Sequence, residues 1–362
     1  MAESADLTLI PQLREAMSRF LGEENFHGRD LMAAILAGVQ GTAALPDLLR
    51  ACARDLGDDQ DSLQTEVIEL LHADPAACRP VVFEFATAEA PALRRVGLWA
   101  FGFVIEAADI EVLATAATDP DPGIRSIAVG SVPDPAHDGW AFRVLTQALH
   151  DPDEQVRVSA VSRLSSTGRS DAVAPVAALA ADSAPRVRAM AAYALGRLNN
   201  TAATPAQLPL LNDPKRHVRE RTVEALGSIG GPAAVDALLA LATAADPRSR
   251  VQTAKTLPKA VDTDPRVTAQ ITKLARDAEP AVRVAILSGL ASTPGGSTWA
   301  PLVVKLANDP DPLVRQRVAV VVRHLAPNDA PRILRRYEGD EDPSLRRLAS
   351  TEIGRLTNTS GR

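Results

Sequence analysis

A chain of 362 residues in which aromatic side chains make up 3% and hydrophobic ones 46% has too few large rings for one thick core, and calls for thin layers of Ala, Val, Leu and Ile. Its net charge of −6 argues against a general affinity for nucleic acid, which draws on many Lys and Arg contacts to phosphate. Two cysteines, Cys52 and Cys78, cannot frame so long a chain with disulfides, and point to a reducing compartment.

The N-terminal text "MAESADLTLIPQLREAM" lacks the basic and apolar regions of a signal peptide, and no apolar run is read as long enough to span a membrane. A soluble cytoplasmic protein without membrane contact is expected. Residues 1–91 carry sixteen acidic and six basic side chains, which leaves 29 and 33 of the totals of 45 and 39 for 92–362. One end is therefore acidic and the remainder mildly basic.

From Arg94 onward an arginine returns about every 31 to 33 residues, at Arg94, Arg125, Arg157, Arg188, Arg219, Arg250, Arg283, Arg315 and Arg346. Upstream, "NFHGRDLMAAILAGV" and "LGDDQDSLQTEVIELL" keep the spacing with Met32 and Gln64 in the arginine column, as divergent or capping copies. Counting each arginine as zero, position −6 is Asp at Asp119, Asp151, Asp182, Asp213, Asp277, Asp309 and Asp340. Positions −4 and −3 are often an acid and proline, as in Asp121-Pro122, Asp246-Pro247, Glu279-Pro280, Asp311-Pro312 and Asp342-Pro343. An acid before proline starts a helix, because the carboxylate accepts from free backbone N–H groups and proline has none to leave unpaired.

Positions −1, +3, +4 and +7 then form one apolar stripe, for example Val156, Ala160, Val161 and Leu164, or Val187, Ala191, Ala192 and Leu195. Glycines (Gly168, Gly230 and Gly231, Gly295 and Gly296) close many copies, and prolines such as Pro175, Pro232 and Pro301 open the next first helix. Two copies depart from this: "PDPAHDGW" interrupts the helix after Arg125, and Pro258 in "KTLPKAVDTDP" breaks the one after Arg250.

These columns resemble the HEAT-repeat family, in which a turn aspartate and a second-helix arginine form a ladder between neighbouring units. The resemblance implies an all-α fold, a right-handed α-α superhelical solenoid of about eleven HEAT-like helix pairs. It would hold a divergent acidic cap at 1–79, a regular array at 80–357 and a flexible tail at 358–362. The Asp and Arg columns recur in nearly every copy, as a stacking ladder requires and a single active site does not. They are left out of the functional residues.

The six histidines are scattered without zinc-ligand spacing, and no phosphate loop, nucleophile elbow or dinucleotide turn is present. No catalytic residue, metal or cofactor is expected. Val96, Trp99 and Phe103 fall at +2, +5 and +9 of one second helix, off the buried stripe, where they would face a concave surface. Tyr193 at +5 and Arg197 at +9 of a later copy, and Glu224 at +5 of the next, extend that face. These six are the candidate binding residues for a protein or peptide client; alternatively Trp99 and Phe103 fill space against the irregular copy that follows.

The function expected is a non-enzymatic protein-binding scaffold or adaptor. The resemblance also admits two enzyme classes, a DNA glycosylase, for which Trp99 with Glu106 or Asp109 would be nominated, and a bilin lyase with no nominable residue. A dedicated accessory or immunity partner, whose acidic end clamps a basic protein, is a further alternative.

Overall fold

Helix starts fall where the sequence places Asp-Pro and Ala-Pro pairs, and the helices between them alternate along the whole chain. The structure, a computed structural model, describes residues 7–106, 109–133, 139–260, 264–293 and 296–359. Among the described residues there is no strand. The chain divides into two compact units, 1–167 and 168–362.

The first unit runs α1 Ile10–Gly22, α2 Phe26–Gln40, α3 Leu45–Cys52, α4 Asp61–Ala73, α5 Pro75–Ala86, α6 Pro91–Phe101, α7 Ile110–Ala116, α8 Pro122–Gly130, α9 Gly139–Ala148 and α10 Glu154–Leu164. The second runs α11 Val173–Ala178, α12 Pro185–Leu198, α13 Thr204–Gln207, α14 Arg216–Ile229, α15 Pro232–Leu241, α16 Pro247–Thr256, α17 Pro265–Leu274, α18 Pro280–Ala291, α19 Ala300–Leu306, α20 Pro312–Leu325, α21 Ala330–Tyr337 and α22 Pro343–Thr359. Even-numbered helices are the second helices of the repeats. Within the second unit they pack on one another in succession, α12 on α14 and α16 on α18, then α18 on α20 and α20 on α22. The tail expected at 358–362 lies, from 360 on, outside the described residues, as do 134–138 of "PDPAHDGW", 261–263 after Pro258, and Gly295.

The buried stripe is as the spacing requires. Val156, Ala160, Val161, Leu164, Val187, Ala191, Ala192 and Leu195 are all fully enclosed. Where two second helices approach closely, glycine makes room: a Cβ on Gly196 of α12 would stand 2.8 Å from the Cα of Ala225, and one on Gly289 of α18 would stand 2.5 Å from the carbonyl oxygen of Lys255. In the turn between α14 and α15, Gly230 and Gly231 both take positive φ, +63° and +78°, which side-chain-bearing residues rarely adopt.

Aspartates start the helices as expected. Asp121 accepts from the backbone N–H of Gly123 and Ile124, Asp153 from Gln155 and Val156, and Asp311 from Leu313. Glu279 does not: its longer side chain makes no such bond at the start of α18.

The arginine column forms a ladder. Each guanidinium donates from Nη1 to two carbonyls of its own turn, Arg188 to Asp182 (2.8 Å) and Ser183 (3.0 Å) and Arg283 to Asp277 (2.7 Å) and Ala278 (3.3 Å). Where the next copy supplies an aspartate, Nε and Nη2 can grip it, at 2.6 and 3.1 Å for Arg188 on Asp213, 2.8 and 3.1 Å for Arg250 on Asp277, and 2.8 and 2.7 Å for Arg283 on Asp309. Arg125 reaches Asp151 and Arg315 reaches Asp340 in the same way, and Arg94 reaches Asp119 through Nε at 2.8 Å. The aspartate also closes its own turn: Asp151 accepts from the N–H of Asp153, Asp213 from Lys215 and Asp309 from Asp311.

Two expectations fail in the N-terminal copies. The ladder position of the first is held by Arg29 instead of Met32. Arg29 follows the capping Asn25 by four residues, as Arg125 follows Asp121, and donates to both carboxylate oxygens of Asp58 at 3.1 and 2.6 Å. It is fully buried and also binds Asp30. The apolar spacing around Met32 imitates the column because three residues are nearly one helical turn. Secondly, the stretch Phe26–Cys52 is long and apolar enough to cross a membrane by length and composition, contrary to the sequence expectation. Here it is broken into α2, a 3-10 turn at Gly41–Ala44 and α3, and it sinks Leu36, Leu45, Leu48 and Leu49 into the core.

Candidate functional site on the open column of the second helices

The candidate residues fall into two groups, one in each unit. In the first unit Val96 and Trp99 are half-buried and pack against the hydrophobic core. Phe103 is not on the same helix, as the +9 spacing supposed, because α6 stops at Phe101 and Gly102 leads into a turn. Phe103 is 39% exposed, and its ring lies edge-on to Trp99 at 5.6 Å and to His72, in the last turn of α4, at 6.0 Å. Phe103 is therefore held by two ring contacts and still exposed to solvent.

In the second unit Tyr193 of α12 is 40% exposed, Arg197 on the same helix is exposed, and Glu224 of α14 is half-buried. Tyr193 and Glu224 are joined through a residue the sequence reading passed over. The Arg221 guanidinium lies 5.7 Å from the centre of the Tyr193 ring and 3.1 Å from the Glu224 carboxylate. The signal was available: Arg221 stands three residues before Glu224 and so shares its helix face.

The +5 positions of the second unit share one property. Tyr193, Lys255, Val320 and Thr351 are exposed, and Glu224 and Ser288 half-buried. Two positions away along the same helices, at +3, the side chains are enclosed: Ala191, Thr222, Thr253, Ile286, Val318 and Ala349. The closed +3 column holds small or aliphatic groups throughout, whereas the open column holds in turn a phenol, a carboxylate, an ammonium, a hydroxyl, an aliphatic group and a second hydroxyl. Among the described residues no three His, Cys, Asp or Glu side chains are grouped to hold a metal ion.

A profile of HEAT repeats matches residues 142–206, 176–258, 204–280 and 267–353, more than half of the chain. The chain belongs to the HEAT-repeat family. Among solved structures, importin beta in an ammonium sulfate condition is similar over 92% of this chain and 53% of its own, with 14% identity and a TM-score of 0.53. Kap95p, from a structure concerned with its binding to RanGDP, is similar over 95% of this chain and 57% of its own, with 14% identity and a TM-score of 0.52. These likenesses show a shared HEAT solenoid fold, and this chain spans little more than half the length of either protein. The complex of CpcE and CpcF of phycocyanin lyase from Nostoc sp. PCC7120 matches 62% of this chain and 92% of its own, with 20% identity and a TM-score of 0.41. No curated protein matches the sequence.

Proposed function

We propose that this HEAT protein is a non-enzymatic scaffold that holds a protein or peptide client on the open column of its second helices. The supporting observation is the contrast just described: the array repeats its enclosed columns in kind and varies its +5 column from copy to copy. Packing demands uniformity from stacked copies, and a surface that reads a partner demands differences along its length. Tyr193, preset by Arg221 and Glu224, is the best anchor in the second unit, because an ordered amphipathic ring loses little freedom on burial against a client. Phe103 with Trp99 and Val96 serves the same purpose in the first unit, and Arg197 contributes charge at the rim. Work in the cytoplasm suits its two free, buried thiols, and we assign the acidic segment 1–79 the part of a cap on the regular array.

The importins and Kap95p lend the reading an analogy of fold alone. The test is quantitative affinity purification of the tagged chain against Tyr193→Ala and Trp99→Ala variants. Loss of one reproducibly dominant protein from the variants supports the reading. Equal recovery overturns the location, and recovery of DNA or a bilin pigment in place of a protein overturns the scaffold function in favour of an enzyme.

A further inference from the structure

The ladder has one vacant rung. Every −6 position from Asp119 to Asp340 is aspartate except in the copy of Arg250, where Ala244 takes its place. Arg219, the arginine that would reach it, is set like the others, donating from Nη1 to the carbonyls of Asp213 at 2.7 Å and Pro214 at 3.2 Å. Arg188 and Arg250 are held through Nη1 in the same manner, and it is their Nε and Nη2 that bind a carboxylate. Among the described residues, Arg219 has no partner on that edge.

A second donor is released by the same alanine. In the other copies the −6 aspartate accepts the backbone N–H two residues on, as Asp213 does from Lys215 and Asp309 from Asp311. With alanine at 244, the N–H of Asp246 has no such acceptor. Arg219 and Asp246 both line an open cavity of about 320 Å³, together with Arg216, Glu220, Arg248 and Ser249. The charges around it do not cancel at the rung. Arg216 is taken by Glu220 at 2.6 Å, and the Asp246 carboxylate is turned to the start of α16, accepting from the N–H groups of Arg248 and Ser249. Arg219 and Arg248 are left without an ion-pair partner among the described residues.

We infer that this cavity is a carboxylate-binding site, in which an external carboxylate takes the place that aspartate fills in the other rungs. One oxygen would accept from Arg219 Nε, and the other from Nη2 and the Asp246 N–H, the pattern that Asp213 and Asp309 satisfy within the chain. The cavity is several times the size of a carboxylate group, so the remainder of the ligand has room beside Leu211, Leu241 and Gln252. The site is separate from the +5 column and stands whether or not that column holds a client. Its ligand is an aspartyl or glutamyl side chain of another protein, or a free small carboxylate.

The experiment follows the Arg219 Nε–H resonance by NMR, assigned by its disappearance in Arg219→Lys, as the full-length chain is titrated separately with succinate, with a blocked aspartyl peptide and with inorganic phosphate. The expected result is a saturable shift with succinate or the peptide that weakens at least roughly tenfold in Ala244→Asp, where the chain supplies its own carboxylate. Ala244→Asp should also raise the unfolding midpoint. Tighter binding of the peptide assigns the site to a protein side chain, and tighter binding of succinate to a small molecule. No shift at millimolar carboxylate overturns the proposal, as does a shift that survives Ala244→Asp, or phosphate binding more tightly than either carboxylate. Should Ala244→Asp fail to fold, loss of carboxylate-induced thermal stabilisation in Arg219→Lys is the substitute readout, and its persistence rejects the site.

Discussion

Arg283 and Asp309, 26 residues apart in sequence, meet through two parallel hydrogen bonds of 2.8 and 2.7 Å and are both buried. Removing the carboxylate strands the guanidinium edge and the N–H of Asp311 together. Asp309→Ala should therefore cost about 2–4 kcal/mol, more than an exposed ion pair, because the charge left behind is desolvated. Asp309→Asn, which retains an acceptor for the turn, should lose about half as much. Urea unfolding at constant m-value checks both, and an unmoved midpoint would refute the ladder as a source of stability.

Glycines on the helices should divide by what a methyl group would meet. Gly196→Ala presses on Ala225 of the neighbouring helix, and should destabilise by about 1–3 kcal/mol despite its better helix propensity. Gly38, on α2, has open space about it, and Gly38→Ala should stabilise by about 0.5–1 kcal/mol. Thermal melts of the two variants should move in opposite directions.

Acid should loosen the ladder. The Arg188 guanidinium holds the Asp213 carboxyl below its ordinary range, and Arg315 does so for Asp340. The folded state then binds fewer protons than the unfolded one, so the contribution is complete above the unfolded carboxylate value and disappears as pH falls through the depressed folded values. The urea midpoint should be nearly flat from about pH 7 to 5 and fall below about pH 4. In Asp213→Asn the acid limb should be shallower; an identical limb would show that this pair does not contribute.

The thiols should be silent. Burial pushes Cys52 up to about 12 and raises Cys78 as well, and the Cys78 Sγ–H donates to the Leu70 carbonyl. At neutral pH a maleimide should label the folded chain at less than roughly a tenth of the rate seen in denaturant. Fast labelling of Cys78, which is fully enclosed, would contradict the packing of α5 on α4.

The fold was legible because stacked copies must repeat their buried groups, and a period that returns the same arginine and the same apolar stripe leaves few other architectures open. Arg29 was missed because an apolar helix face looks similar when shifted by one turn, and only the capping Asn25 fixes the register. The end of α6 was missed for the opposite reason: a continuous apolar text through Phe103 conceals that Gly102 ends the helix. Arg221 escaped notice because its worth lies in a ring on another helix, a relation no single-helix pattern carries.

Each ladder aspartate fastens its own bend and its predecessor with one group, so stiffness passes from copy to copy like stitches in a hem. The alanine at 244 drops one stitch. Amide protons on either side of it should exchange in two separate batches, and a guest seated there would sew the strips together, making rigidity of the molecule a reporter of occupancy.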